Sequence, residues 1–174
     1  MRNWSIKNIE DRKYDFVPFS PRFADLFGKT EATGNWIVYG KSGQGKSSFC
    51  LQLAKEFDEI GKKVLFVSLE MGDSYDFQQA LANAGIRSGC SRISFTDSCH
   101  PEELKEELDK ALADKTIGII LLTEKFGREF PEIIDNVKLE RKLPLIVEIP
   151  DRHGTGRKPD FITSYVNEAI GLKL

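Results

Sequence analysis

Trp36-Ile37-Val38-Tyr39-Gly40-Lys41-Ser42-Gly43-Gln44-Gly45-Lys46-Ser47-Ser48 is the stretch that decides the fold. Four apolar residues suited to a buried strand run into Gly40 to Ser47, which fits the pattern GxxxxGK[ST], and an amphipathic run from Lys46 to Ile60 follows directly. A strand, a glycine-rich loop and a helix in that order form an anion cradle. The glycines let successive backbone N–H groups turn toward one point, and the positive end of the helix faces the same point. In this reading Gly40, Lys41, Ser42, Gly43, Gln44, Gly45, Lys46, Ser47 and Ser48 surround a nucleotide's phosphates, with Lys46 reaching the outer ones and Ser47 available to Mg²⁺. A chance glycine turn carrying Lys and Ser is the alternative, and the flanking strand and helix weigh against it.

Working outward, apolar runs alternate with amphipathic ones. Strands are predicted at Trp36–Tyr39, Val64–Leu69, Arg92–Phe95, Ile117–Leu122 and Leu145–Ile149. Helices are predicted at Lys46–Ile60, Ser74–Ala84, Pro101–Ala113, Pro131–Leu139 and Asp160–Ile170. Val64–Val67 and Gly118–Leu122 are apolar on both alternating faces, which requires helices on both sides of the sheet. The fold class that follows is a three-layer α/β/α sandwich with a five-stranded parallel sheet, P-loop-like or flavodoxin-like. Residues 1–34, with Phe16, Phe19, Phe23 and Phe27, read as an arm carrying a short helix near Phe23–Phe27. Arg152–Pro159 reads as a polar loop.

The chain of 174 residues, 40% hydrophobic and 30% charged, suits one domain. Its formal net charge of -2 offers no basic excess and argues against duplex nucleic acid as a partner. Cys50, Cys90 and Cys99 form no CxxC pair and read as reduced thiols. No leader-like or membrane-length apolar run occurs, so the expectation is a soluble, cytoplasmic protein without a membrane partner.

Residues Gly34 to Ser47 followed by Lys62-Lys-Val-Leu-Phe-Val-Ser-Leu-Glu70-Met71 resemble the RecA/DnaB-like branch of P-loop ATPases. The resemblance implies ATP or ADP with Mg²⁺ as ligand and Glu70 as the group that polarises the attacking water. It also implies a later strand ending in Asp. The matching strand, Ile117-Gly-Ile-Ile-Leu-Leu122, continues instead into Thr123-Glu124. A neutral hydroxyl stands where an acid is expected, and hydrolysis is therefore expected to be weak or absent. No [NT]KxD motif supports a preference for GTP.

Ile117 to Glu124, Leu143-Pro-Leu-Ile-Val-Glu-Ile-Pro150 and Ala169-Ile-Gly-Leu-Lys-Leu174 together resemble the F subunit of archaeal and V-type ATP synthases. That resemblance implies a flavodoxin-like stalk protein that binds other stalk components and has no nucleotide site of its own. One half, about 35–95, thus carries the phosphate loop, and another, about 100–174, is similar to the stalk protein. The economical account is an engineered chimera joined between Gly85 and Gly118, with a purely structural hybrid as a further alternative. The strand order favoured by the second half is 2-1-3-4-5, with 5-1-4-3-2 as the other choice, whereas RecA-like sheets insert later strands between the first and second. Arg128, Arg152 and Arg157 follow strand ends, where one could approach a phosphate, although solvated loop charges are the simpler reading. His100 and His153 lack partners that would suggest catalysis or a metal. Glu102, Glu103, Glu106, Glu107 and Asp109 read as a solvated helix face with Glu106 and Lys110 one turn apart.

Overall fold

A computed structural model describes residues 5–32, 35–38, 40, 43–68, 72, 74–97, 100–129, 131 and 144–149. In chain order the elements are α1 (Ile6–Glu10), α2 (Pro21–Phe27), β1 (Asn35–Ile37), α3 (Lys46–Glu59), β2 (Lys63–Val67), α4 (Tyr75–Asn83), β3 (Ile93–Thr96), α5 (Pro101–Ala113), β4 (Ile117–Thr123), α6 (Glu124–Glu129) and β5 (Leu145–Ile149). The helices predicted beyond Pro131 and at Asp160–Ile170 lie outside the described residues.

The strands form one parallel sheet in the order β1-β5-β4-β2-β3. Four strands, β5-β4-β2-β3, make its body, and the three-residue β1 extends it at the β5 edge. The favoured order 2-1-3-4-5 is corrected by this arrangement, and so is the alternative 5-1-4-3-2. With β5 and β4 between β1 and β2, the sheet is built by the insertion that the RecA-like resemblance implied, not in flavodoxin-like order. The physical reason is apolar content. β4 and β5 are buried along nearly their whole length, so both their faces need cover and they take central places. β3 leaves Ser94 and Phe95 exposed and takes an edge.

Two apolar clusters flank the sheet. On one face Cys50, Leu51, Leu53, Ala54 and Phe57 of α3 meet Val64, Phe66, Ile119, Leu121, Leu145 and Val147. On the other, Leu104, Leu108 and Ala111 of α5 and Phe126 of α6 meet Leu65, Val67, Ile120, Leu122 and Ile146. Strand alternation sends odd and even positions of β4 to opposite layers. At about 25 cal/mol per Å² of apolar surface removed from water, this two-sided burial is the main drive for assembling the sheet.

The sequence halves interleave, because the only described sheet partner of β1 is β5 and β4 pairs with β2. Gly118 in β4 shows how closely they fit. A Cβ there would lie 2.8 Å from Lys62 Cβ and 3.1 Å from Phe57 Cδ1, so one half supplies a glycine where the other leaves no room for a methyl group.

The arm is held by aromatic packing and one buried acid. The Phe19 ring centroid lies 5.4 Å from that of Phe27, 6.0 Å from those of Phe23 and Phe57, and 6.1 Å from that of Trp36. Tilted and edge-on contacts at such separations are the favoured ones for aromatic rings. The Ser20 backbone N–H and hydroxyl both donate to the carboxylate of Glu56 in α3, the hydroxyl at 2.9 Å. Ser74 caps α4, its hydroxyl accepting from the Phe77 N–H at 3.3 Å, which satisfies one of the free donors of the first turn. Pro101 opens α5 with Glu102 and Glu103 in its first turn, as the sequence implies, but Lys110 pairs with Glu107 at 3.0 Å. Among the described residues no helix is long and apolar enough to cross a membrane.

Candidate functional site

β1 ends at Ile37, and the Val38 N–H still donates to the Glu148 carbonyl at 3.3 Å before the chain turns at Gly40. Gly43 and Gly45 then take φ values of 76° and 82°. This is a left-handed backbone that L side chains rarely adopt. Gly45 is the N-cap of α3, and no side chain caps this end. No acidic residue occupies the first turn of this 14-residue helix either, so its own first turn carries no carboxylate to offset the positive end.

Gly43, Gln44 and Gly45 are exposed, Lys46 is buried, Ser47 is half-buried and Ser48 is exposed. Lys46 folds back over the loop: its Cγ and Cδ lie 3.9 Å from where a Cβ on Gly40 would stand, and Gln44 Oε1 lies 2.9 Å from the same point. The side chains of Gln44 and Lys46 thus close over Gly40. Of the predicted site residues, Gly40, Gly43, Gln44, Gly45, Lys46, Ser47 and Ser48 come together at the junction of β1 and α3. Lys41, Ser42 and Glu70 lie outside the described residues, as do Arg152, Arg157 and His153.

One turn beyond Lys46, Cys50 is fully buried, and burial pushes its thiol up to about 12, opposed in part by the Lys46 charge. The sulfur is therefore uncharged at neutral pH and leaves the cationic character of the loop intact.

Strand register carries the site across the sheet. Val67 is level with Leu122 and with Thr96, and Thr123 is level with Ile149. One step further along, Asp97, Ser68, Thr123, Ile149 and Val38 form a row at the carboxyl ends of the strands, where ligands of open α/β sheets bind. Thr123 follows Ile119 and Leu121 on the α3 face, is 4% exposed, and its Oγ1 has no hydrogen-bond partner. The chain then enters α6 with no intervening loop. Glu124 opens that helix and is buried, while Phe126 packs on the face opposite α3. Arg128 is exposed in the last turn of α6.

Ser47 at the loop and Thr123 at the strand ends offer a divalent metal neutral oxygens, and no group of three or more His, Cys, Asp or Glu that could hold an ion occurs among the described residues. Such a donor set fits Mg²⁺ carried by a nucleotide's own phosphates rather than by a protein cage. His100, at the N-cap of α5, makes no capping bond.

Two hollows were not legible in the sequence. One of about 500 Å³, lined by Phe27, Thr30, Trp36, Val38 and Phe49, flanks the loop on the arm side. The other, of about 330 Å³, opens between α4 and β3 beside Ser68, Phe77, Gln78, Phe95 and Asp97, at the opposite edge of the sheet. Each draws its lining from within about thirty residues of chain, but only the folding of strand, helix and loop against one another makes a hollow of them.

A parallel sheet covered on both faces, whose first strand passes through a glycine loop into a helix, defines an α/β protein of the three-layer class. The model of the family described as "ATP synthase (F/14-kDa) subunit" matches residues 70–166, and the chain belongs to that family. It is 33% identical over 91 residues to the F subunit of the A-type ATP synthase of Methanothermobacter thermautotrophicus, covering 52% of this chain and 84% of the relative. It is also 25% identical over 136 residues to the DNA repair and recombination protein RadB of Methanococcoides burtonii, covering 75% of this chain and 59% of that protein. Among solved structures, a crystal structure of the RadB recombinase superposes with a TM-score of 0.49 at 16% identity, covering 75% of this chain and 67% of that one. Both expected resemblances are therefore present, with different limits. The family match begins at residue 70, and a RadB likeness over three quarters of the chain exceeds what lies outside 70–166. The two likenesses therefore overlap along part of the chain.

Proposed function

We propose that this chain binds ATP or ADP, with Mg²⁺, through Gly40–Ser48 and turns ATP over slowly or not at all. The observation that carries the reading is the pair of left-handed glycines, Gly43 and Gly45, leading into a helix whose first residue is the buried Lys46. Backbone amides of the first helical turn and the Lys46 ammonium bind the phosphates, Ser47 ligates the metal, and Lys41, Ser42, Gln44 and Ser48 complete the rim. Mg²⁺, when it accompanies the nucleotide, neutralises phosphate charge. The aromatic hollow lined by Phe27, Trp36 and Phe49 supports the nucleotide reading, because it offers a base stacking surfaces. Glu70 is the candidate water-activating base, and Thr123 in place of an acid is the reason for slow turnover.

The family match supports a second reading, that residues 70–166 form a module that docks on other components of an ATP synthase stalk. We read the chain as one domain whose two halves share the sheet, a composite of the two resemblances, acting in the cytoplasm. Calorimetric titration of ATP and ADP with Mg²⁺ into the protein and into Lys46→Ala tests the first reading. Binding that disappears in the variant is expected, and equal heats in both would remove it. Co-purification with stalk components at unit stoichiometry, unaffected by Lys46→Ala, is the result that would favour the second.

A further inference from the structure

Thr123 is the described residue whose chemistry the fold leaves unused. Its hydroxyl is buried, has no hydrogen-bond partner, and stands at the carboxyl end of the central strand on the face that carries α3. A buried hydroxyl without a partner is destabilising, and threonine has a near-isosteric apolar replacement in valine, so packing alone does not explain its presence. Two strand spacings, about 10 Å, separate the Thr123 row position from that of Val38, which leads into the glycine loop. A polyphosphate lying along the loop mouth would bridge much of that distance.

A carboxylate at this place could only accept hydrogen bonds and would repel a phosphate unless a metal stood between them. A hydroxyl can donate to a phosphate oxygen directly. We propose that Thr123 is a positioning residue that donates to the terminal phosphate of the bound nucleotide, so that this site takes nucleoside polyphosphates in metal-free form as well as with Mg²⁺. The inference rests on the phosphate-binding reading of Gly40–Ser48. Ser47 and Lys46 serve the metal-bound and metal-free forms alike, and the missing acid removes the main reason for a metal requirement.

The test is calorimetric titration of ATP in Mg²⁺ buffer and in EDTA, on the parent, Thr123→Val, Thr123→Asp and Lys46→Ala. The parent is expected to keep its affinity within about threefold when the metal is removed. Thr123→Val should bind about tenfold more weakly in both buffers, the loss typical of a hydrogen bond to a charged group. It should also unfold at a slightly higher temperature, because the unpaired hydroxyl is gone. A residue of purely structural role would not move affinity and stability in opposite directions. Thr123→Asp should bind at least tenfold more weakly in EDTA than in Mg²⁺. A parent that loses tenfold or more without metal, or a Thr123→Val that binds as the parent does, overturns the inference while leaving the phosphate loop intact. Absence of any parent heat beyond that of Lys46→Ala removes both.

Discussion

Gly45→Ala, read beside Gly61→Ala, isolates what the backbone of the loop contributes. Both glycines hold left-handed backbones, with φ of 82° and 79°, and at both an added Cβ would have nothing within 4 Å. Neither substitution meets a steric clash, so each variant carries only the penalty of a left-handed L-residue, about 1–2 kcal/mol. The difference lies in what the chain can do about it. Gly61 follows the C-terminal end of α3, and its N–H donates to the Asp58 carbonyl at 3.0 Å within a packed turn, so the whole penalty falls on stability. Gly45 stands in an exposed stretch that can relax while no ligand is bound. Relaxation restores stability but must be reversed on binding, so the penalty reappears as weaker affinity. The sum of the two losses in Gly45→Ala should therefore equal about 1–2 kcal/mol, and if all of it falls on binding the affinity drops roughly five- to thirtyfold. Chemical denaturation and ATP titration on both variants measure the two parts. Undiminished stability together with undiminished affinity in Gly45→Ala would refute the reasoning, and so would an affinity loss in Gly61→Ala equal to that in Gly45→Ala.

Three further outcomes are expected. Cys50, with its thiol raised to about 12, should resist iodoacetamide at pH 8 while the half-buried Cys90 reacts, as peptide mass mapping would show; equal labelling would contradict the burial argument. The same shift gives a sign: the folded state keeps a proton that the unfolded state gives up near the ordinary value of 9.0, so Cys50 contributes stability below pH 9 that is lost as pH rises toward about 12. Glu56→Ala leaves the Ser20 N–H and hydroxyl without their buried acceptor and should lower stability by about 1–3 kcal/mol, with hydrogen exchange accelerating first in residues 16–27; an unchanged exchange pattern would mean that the aromatic packing alone holds the arm.

Local chemistry was plain in the sequence. The spacing of Gly40, Gly45, Lys46 and Ser47 placed the loop, and the apolar periods placed α3, α4, α5 and the strands to within a residue or two. The helix α6 was missed because Glu124–Glu129 is too short to show a period and contains Gly127. Strand order was misjudged because resemblance outweighed composition, although the largely apolar runs of β4 and β5 already favoured central places.

What the sequence determined by itself is whatever a few neighbouring residues can enforce: a backbone that turns left-handed at glycine, a lysine at the first helical position, strands apolar on both faces. The row Asp97, Ser68, Thr123, Ile149 and Val38 was decided only by the tertiary structure, since backbone pairing between separate segments, those of β1 and β5 more than a hundred residues apart, sets which of them stand level. Thr123 reads in the sequence as a missing acid. Packing from both layers turns it into a buried donor with nothing yet to give its proton to.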